Sequence, residues 1–126
     1  MVERILLTGA NGMVGKNILE HNCAQQFEFL TPNSRELNLL DQQGVKAYLR
    51  EHQPDMIIHA AGRVGGIQAN MAQPVAFLVD NMQMGLNLIQ SVYELEMPRL
   101  MNMSSSCMYP RAAANPLAEE LILKGE

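Results

Sequence analysis

The stretch Thr8–Gly15, TGANGMVG, lies between a short apolar run and a segment with helical spacing, and it constrains the chain more than any other. Before it, VERILLT (residues 2–8) ends in the Ile-Leu-Leu run of a buried strand. After it, VGKNILEHN sets Val14, Ile18 and Leu19 at helical spacing. Glycines at 9, 12 and 15 let the backbone turn sharply and approach a diphosphate with no Cβ in the way. The start of the helix adds free N–H groups and the positive end of a dipole. Gly9, Asn11, Gly12, Met13, Val14 and Gly15 are therefore candidate dinucleotide-binding residues.

The remaining elements follow the same rhythm. FEFLT (27–31) reads as a second strand, closed by Pro32. Asp41 reads as the N-cap of QQGVKAYLREHQ, whose Val45, Tyr48 and Leu49 share one face. MIIHAAG (56–62) is a third strand entering a small-residue turn. A loop through Gly65 and Gly66 leads to Pro74, which suits a first helical turn. The helix it opens runs to about Glu96 with an apolar face of Phe77, Leu78, Asn81, Met82, Gly85, Leu88, Ile89 and Val92. Pro98 ends it, RLMNMS is a fourth strand, and a loop and short helix close the chain.

This β-α-β-α-β-α-β order predicts an α/β fold with a Rossmann-type parallel sheet and right-handed crossovers. The expected strand order is 3-2-1-4, with the first two helices on one face and the Pro74 helix on the other. The crevice then falls between strands 1 and 4, and the Gly9 and Ser104–Cys107 turns both open into it.

At 126 residues the chain is one domain. With 9 Lys and Arg against 13 Asp and Glu it carries a net charge of −4 and no basic block, which argues against a nucleic-acid partner. No stretch reaches the roughly 18 apolar residues of a membrane span, and MVERILLTGANG lacks a signal-peptide core. Two distant cysteines, Cys23 and Cys107, make no disulfide framework and fit a reducing, cytoplasmic setting. His59 has no His or Cys at ligand spacing, so it reads as a core histidine and no metal is expected.

After the second strand an NAD site would offer an acid to the ribose hydroxyls. Here TPNSRE offers none between Thr31 and Ser34, and Arg35 follows. A guanidinium can pair with a 2′-phosphate through two hydrogen bonds, which favours NADP, although Glu36 is adjacent; the lesser alternative is that Arg35 is a solvated loop charge. In Asn38-Leu39-Leu40-Asp41, the aspartate either accepts from an adenine amino group or caps the following helix.

Taken together, the glycine turn, HAAG and SSSCMYP (residues 104–110) resemble the extended short-chain dehydrogenase/reductase family over the full length of the chain. ELNLLD, RVGGIQAN and SSSCMYP are similar to the branch of that family that epimerises and reduces GDP-linked 4-keto-6-deoxy sugars with NADP. The resemblance implies that Ser105, four residues before Tyr109, hydrogen-bonds the sugar C4 carbonyl. It implies that Cys107 acts in epimerisation; the alternative is a small buried hydrophobe. It sets Ala60, Ala61 and Gly62 against the cofactor, with Met103 and Ser104 beside it. It also suggests substrate contacts for Arg63 and Asn70, and either a bond from Asn81 to strand four or simple helix packing.

Members of this family carry a Tyr-x-x-x-Lys motif on a later helix, and a nucleotide-sugar domain. This sequence has neither: His52, Met97 and Ala113 stand four residues after its tyrosines. The expectation is therefore residues 1–126 as the N-terminal part of an NAD(P)-binding domain, inactive alone, in a longer enzyme that is commonly a homodimer through the counterpart of the Pro74 helix. Another nucleotide-sugar epimerase or dehydratase, or a non-catalytic dinucleotide-binding module, are the alternatives.

Overall fold

The computed structural model describes residues 2–97, 99–122 and 124. Pro98, expected to end the long helix, lies outside them. Four strands, β1 (Arg4–Thr8), β2 (Glu28–Leu30), β3 (Met56–His59) and β4 (Leu100–Asn102), form one parallel sheet. Its helices are α1 (Met13–Glu20), α2 (Gln42–His52), α3 (Ile67–Ala72) and α4 (Pro74–Glu94). Short 3-10 turns occupy Asn22–Gln26, Ser106–Met108 and Glu119–Leu121. Helix α3 stands where the sequence suggested only a loop.

The strand order is β2-β1-β3-β4, which corrects the expected 3-2-1-4. β1 is central: Leu6 lies opposite Leu30 of β2 on one side and opposite Ile57 of β3 on the other. The apolar runs explain the placement. Ile5, Leu6, Leu7, Ile57 and Ile58 are all buried, as strands covered on both faces require. β2 has three residues and an exposed Glu28, the character of an edge.

Handedness then fixes the faces. The β1-α1-β2 crossover steps one way and β2-α2-β3 steps back past β1, so right-handed connections put α1 and α2 on opposite faces. β3-α4-β4 continues the second direction, and α4 joins α2. Thus Ile5, Leu7 and Ile58 pack with Ile18, Phe27 and Phe29 on the α1 side. Leu6, Ile57, Leu37, Leu39, Val45, Leu49 and Leu88 form the core on the other side. The expectation that α1 and α2 share a face is therefore wrong; among the described residues α1 is the one α-helix on its face. Beyond it, Met101 of β4, level with Ile58, is 48% exposed.

Helix α2 begins where Asp41 Oδ1 accepts from the Gln43 N–H at 3.1 Å. It ends at Gln53, which takes the left-handed conformation at φ 42°. A Lys46–Glu94 ion pair at 2.5 Å and a Gln42–Gln90 hydrogen bond at 2.8 Å join α2 to α4.

Helix α4 buries Asn87, Leu88 and Ser91 and packs Met84 and Val92 against the core, joined by Leu95 at its C-cap. Only part of its expected apolar face points inward. Leu78, Met82 and Ile89 are exposed, together with Val75, Val79, Leu86 and Tyr93.

Candidate functional site

Order reverses between β1 and β3, so the crevice opens there, at the carboxyl ends of the strands. Gly9 makes the turn that floors it. Its φ is +75°, and a Cβ at this position would lie 2.6 Å from both the Ala60 carbonyl oxygen and the Ala61 nitrogen. The Gly12 N–H donates back to Gly9 O at 2.9 Å. A Cβ on Gly15 would come within 2.6 Å of the Ala10 Cα, so α1 can start directly against the turn. Lys16 N–H donates to Gly12 O at 3.0 Å. The amides of Met13, Val14 and Gly15 precede that first helical bond and face forward without intrahelical acceptors.

A cavity of about 430 Å³ opens over this turn. Gly9, Asn11, Gly12, Asn38, Leu39, Ala61 and Gly62, all expected from the sequence, line it. The side chains of Met13 and Val14 do not; they line an apolar hollow between α1 and the sheet. Gly15, Arg35, Asp41, Ala60, Met103, Ser104, Ser105 and Cys107 also lie outside the cavity wall. Of the two readings of Asp41, helix capping is what the geometry displays.

At the β2 end the wall is Pro32, Asn33 and Ser34. Asn33 ties the loop into a turn: its Oδ1 accepts from the Arg35 N–H at 2.9 Å, and its N–H donates to Glu36 Oε2 at 2.8 Å. Glu36 faces the opposite hollow with Tyr48 and His52. There its charge, after burial itself, helps push the Tyr48 phenol above its usual pKa. The one carboxylate in the cavity wall among the described residues is Asp80, at the other end.

Arg63 and Asp80 form that far wall and neutralise each other at 2.6 Å. Arg63 also donates to Gln73 Oε1 at 2.7 Å, and its guanidinium lies 5.0 Å from the Phe77 ring centre. Its guanidinium is thus engaged within the protein. Asn70 is engaged likewise, donating to Gly65 O at 2.9 Å and to Gly66 O at 3.2 Å. Asn81 pairs with the backbone of Arg63, where the sequence had offered strand four or simple packing.

Beneath the floor, Thr8 Oγ1 and His59 Nδ1 share a hydrogen bond of 2.8 Å, and the Ala61 N–H donates to Thr8 Oγ1 at 3.4 Å. Burial pushes the His59 imidazole below its usual pKa. His59 is a neutral, satisfied core residue.

The serine turn leaves the same edge of the sheet one strand further on. β3 stands between it and the Gly9 turn, because β4 pairs with β3 and not with β1. The two turns therefore do not flank a single crevice as the expected order implied. Ser105 Oγ accepts from the Cys107 N–H at 3.2 Å, and Ser104 Oγ donates to Met108 Sδ at 2.8 Å. Ser104, Ser105 and Cys107 are exposed.

The wall residues that sequence reading missed include Thr8, Ala10, Asn33, Ser34, Leu37, Leu40, Asp80 and Met84. Asp80 and Met84 are one turn apart on α4, a usable signal only when α4 is known to share a face with α2.

Residues 5–126 match the NAD dependent epimerase/dehydratase family. The chain belongs to that family. GDP-L-colitose synthase of Yersinia pseudotuberculosis is 54% identical over 98% of this chain and 40% of its own length. GDP-L-fucose synthase of Azorhizobium caulinodans is 44% identical over 98% of this chain and 39% of its own. A solved GDP-mannoheptose C4 reductase from Campylobacter jejuni with NADP bound superposes at a TM-score of 0.84, with 29% identity, covering 98% of this chain and 37% of that one. The chain thus spans about two fifths of the length of these epimerase/dehydratase relatives.

Proposed function

We propose that these residues are the N-terminal, NADP-binding part of a longer epimerase/reductase acting on a GDP-linked 4-keto-6-deoxy sugar, of the GDP-L-fucose synthase kind. The observation that carries the reading is the Gly9 turn: its positive φ and its packing on the Ala60–Ala61 backbone leave no room for a side chain, and they bring the start of α1 up to the cavity. The cavity fits NADP in two further respects. First-turn amides of Met13, Val14 and Gly15 supply donors for the diphosphate. The β2 end presents Asn33 and Ser34 with Arg35 one residue on, and no carboxylate to repel a 2′-phosphate. The bound dinucleotide supplies a hydride for the sugar C4 carbonyl.

Ser105 is the residue we assign to that carbonyl. Its oxygen already accepts from the Cys107 N–H, so its own proton is free to be donated to substrate. That bond polarises C4 and acidifies hydrogens on the neighbouring ring carbons. Cys107, two residues on, is the base we assign to remove such a proton. The tyrosine and lysine of the family motif, and the sugar domain, belong to the remainder of the polypeptide in this reading.

A homodimer is part of the proposal. Val75, Val79, Met82, Leu86, Ile89 and Tyr93 are spaced alternately by four and three residues, all exposed, Tyr93 at 83%. This is the seam spacing of paired helices. The free thiols of Cys23 and Cys107 suit a reducing cytoplasm.

The test is reduction of GDP-4-keto-6-deoxy-mannose by the full-length protein, followed by NADPH absorbance. Turnover is expected, and its absence with all GDP-keto sugars refutes the reading. The higher identity to the Yersinia protein favours a second reading, the keto precursor of GDP-L-colitose as substrate. The same assay with both sugars separates them.

A further inference from the structure

We propose that Asn81 and Asn87 of α4 are positioning residues that fix the two ends of the cavity, and so hold the adenosine and nicotinamide halves of the dinucleotide separately. The inference rests on the dinucleotide reading above. Asn81 Oδ1 accepts from the Arg63 N–H at 2.7 Å, and its Nδ2 donates to Arg63 O at 3.0 Å. A single side-chain amide thus satisfies both backbone groups of one loop residue. The loop lies directly on it, because a Cβ on Gly62 would sit 3.3 Å from Asn81 Oδ1. Asn87 is 2% exposed. Its Nδ2 donates to Leu39 O at 2.9 Å, while its Oδ1 accepts from Gln83 Nε2 at 2.6 Å.

Leu39 and Arg63 both line the cavity, from opposite sides. Leu39 belongs to the β2–α2 connection, the adenosine side in this topology. Arg63 follows β3, toward β4 and the serine turn. The two asparagines are six positions apart on the helix, about 9 Å of rigid rise. The cavity's width is therefore set by a helix that contributes Asp80 and Met84 to its wall. Loop carbonyls and amides that no strand pairs are held at that spacing before any ligand arrives.

The experiment uses Asn87→Leu and Asn81→Leu in the full-length protein, titrated with 2′,5′-ADP as the adenosine half and with NADPH by fluorescence. N87L is expected to weaken 2′,5′-ADP by about tenfold. N81L is expected to leave 2′,5′-ADP within about twofold while weakening NADPH by about tenfold. Circular dichroism checks folding. Should a leucine variant fail to fold, the isosteric Asn87→Asp and Asn81→Asp, which keep the acceptor and lose the donor, carry the same expectation. General loosening of the fold would weaken both probes equally in both variants, and that result, or no change, overturns this inference alone. Failure of the unmutated protein to bind either probe overturns the dinucleotide reading and this inference with it.

Discussion

The Gly9 turn and the Ser104–Tyr109 turn follow β1 and β4 at the same edge of the sheet, yet different things hold them. Thr8 and Ala10 flank Gly9 in the core, and the turn is wedged against the backbone of Ala60 and Ala61. The serine turn is held by bonds within itself, from Cys107 N–H to Ser105 Oγ and from Ser104 Oγ to Met108 Sδ. Its backbone joins the sheet through Met103 N–H to His59 O at 3.0 Å. The first turn is complete within these residues and has little freedom. The second leaves the side chains of Ser104, Ser105 and Cys107 exposed.

That contrast can be broken most forcefully at Gly9. Gly9→Val forces a branched side chain into a positive φ and into the Ala60 backbone. It should cost about 3 kcal/mol or more of stability and abolish NADPH binding, read by urea unfolding and fluorescence titration. Ser105→Ala should do the reverse. In the full-length protein kcat should fall about a hundredfold, while the unfolding free energy changes by less than about 0.5 kcal/mol. A Ser105→Ala protein that loses stability instead would mean the second turn is also structural.

Smaller effects sharpen the comparison. Arg35→Ser should reduce the preference for NADPH over NADH by about tenfold, measured as the ratio of dissociation constants. His59 supports the first turn through Thr8. Burial holds its folded pKa below the 6.5 of a free imidazole. The unfolded chain is thus protonated first on acidification. The stability that neutral His59 contributes is complete above that value and is lost as pH falls below it. Urea midpoints measured from about pH 7.5 to 5 should decline, and His59→Asn should flatten the decline.

What the sequence revealed divides along physical lines. Local rules located the glycine turn, the Asp41 cap and Pro74 at the head of α4, because each depends on a few neighbouring residues. Strand order was misread because it depends on which neighbour β3 chooses, a competition between the buried Leu6–Leu7 edge and the short β2. The apolar face of α4 was blurred by its second stripe: Leu78, Met82 and Ile89 obey the same periodicity as Leu88 and Val92 yet point outward. At the site, the residues whose role is backbone shape were legible. Asp80, Met84 and the commitment of Arg63 to Asp80 were not, since they arise only once α4 packs beside α2.

Of these four strands, the earliest in the chain, β1, is an inner one. Leu6 leaves the ribosome long before its partner Ile57, 51 positions later in the register. During that interval β1 has only three residues of β2 to pair with. Closure of the sheet is consequently a late, long-range event in synthesis, and such topologies fold slowly. A nascent chain halted before Met56 should remain sensitive to protease, and one extended past Asn102 should acquire resistance in a single step.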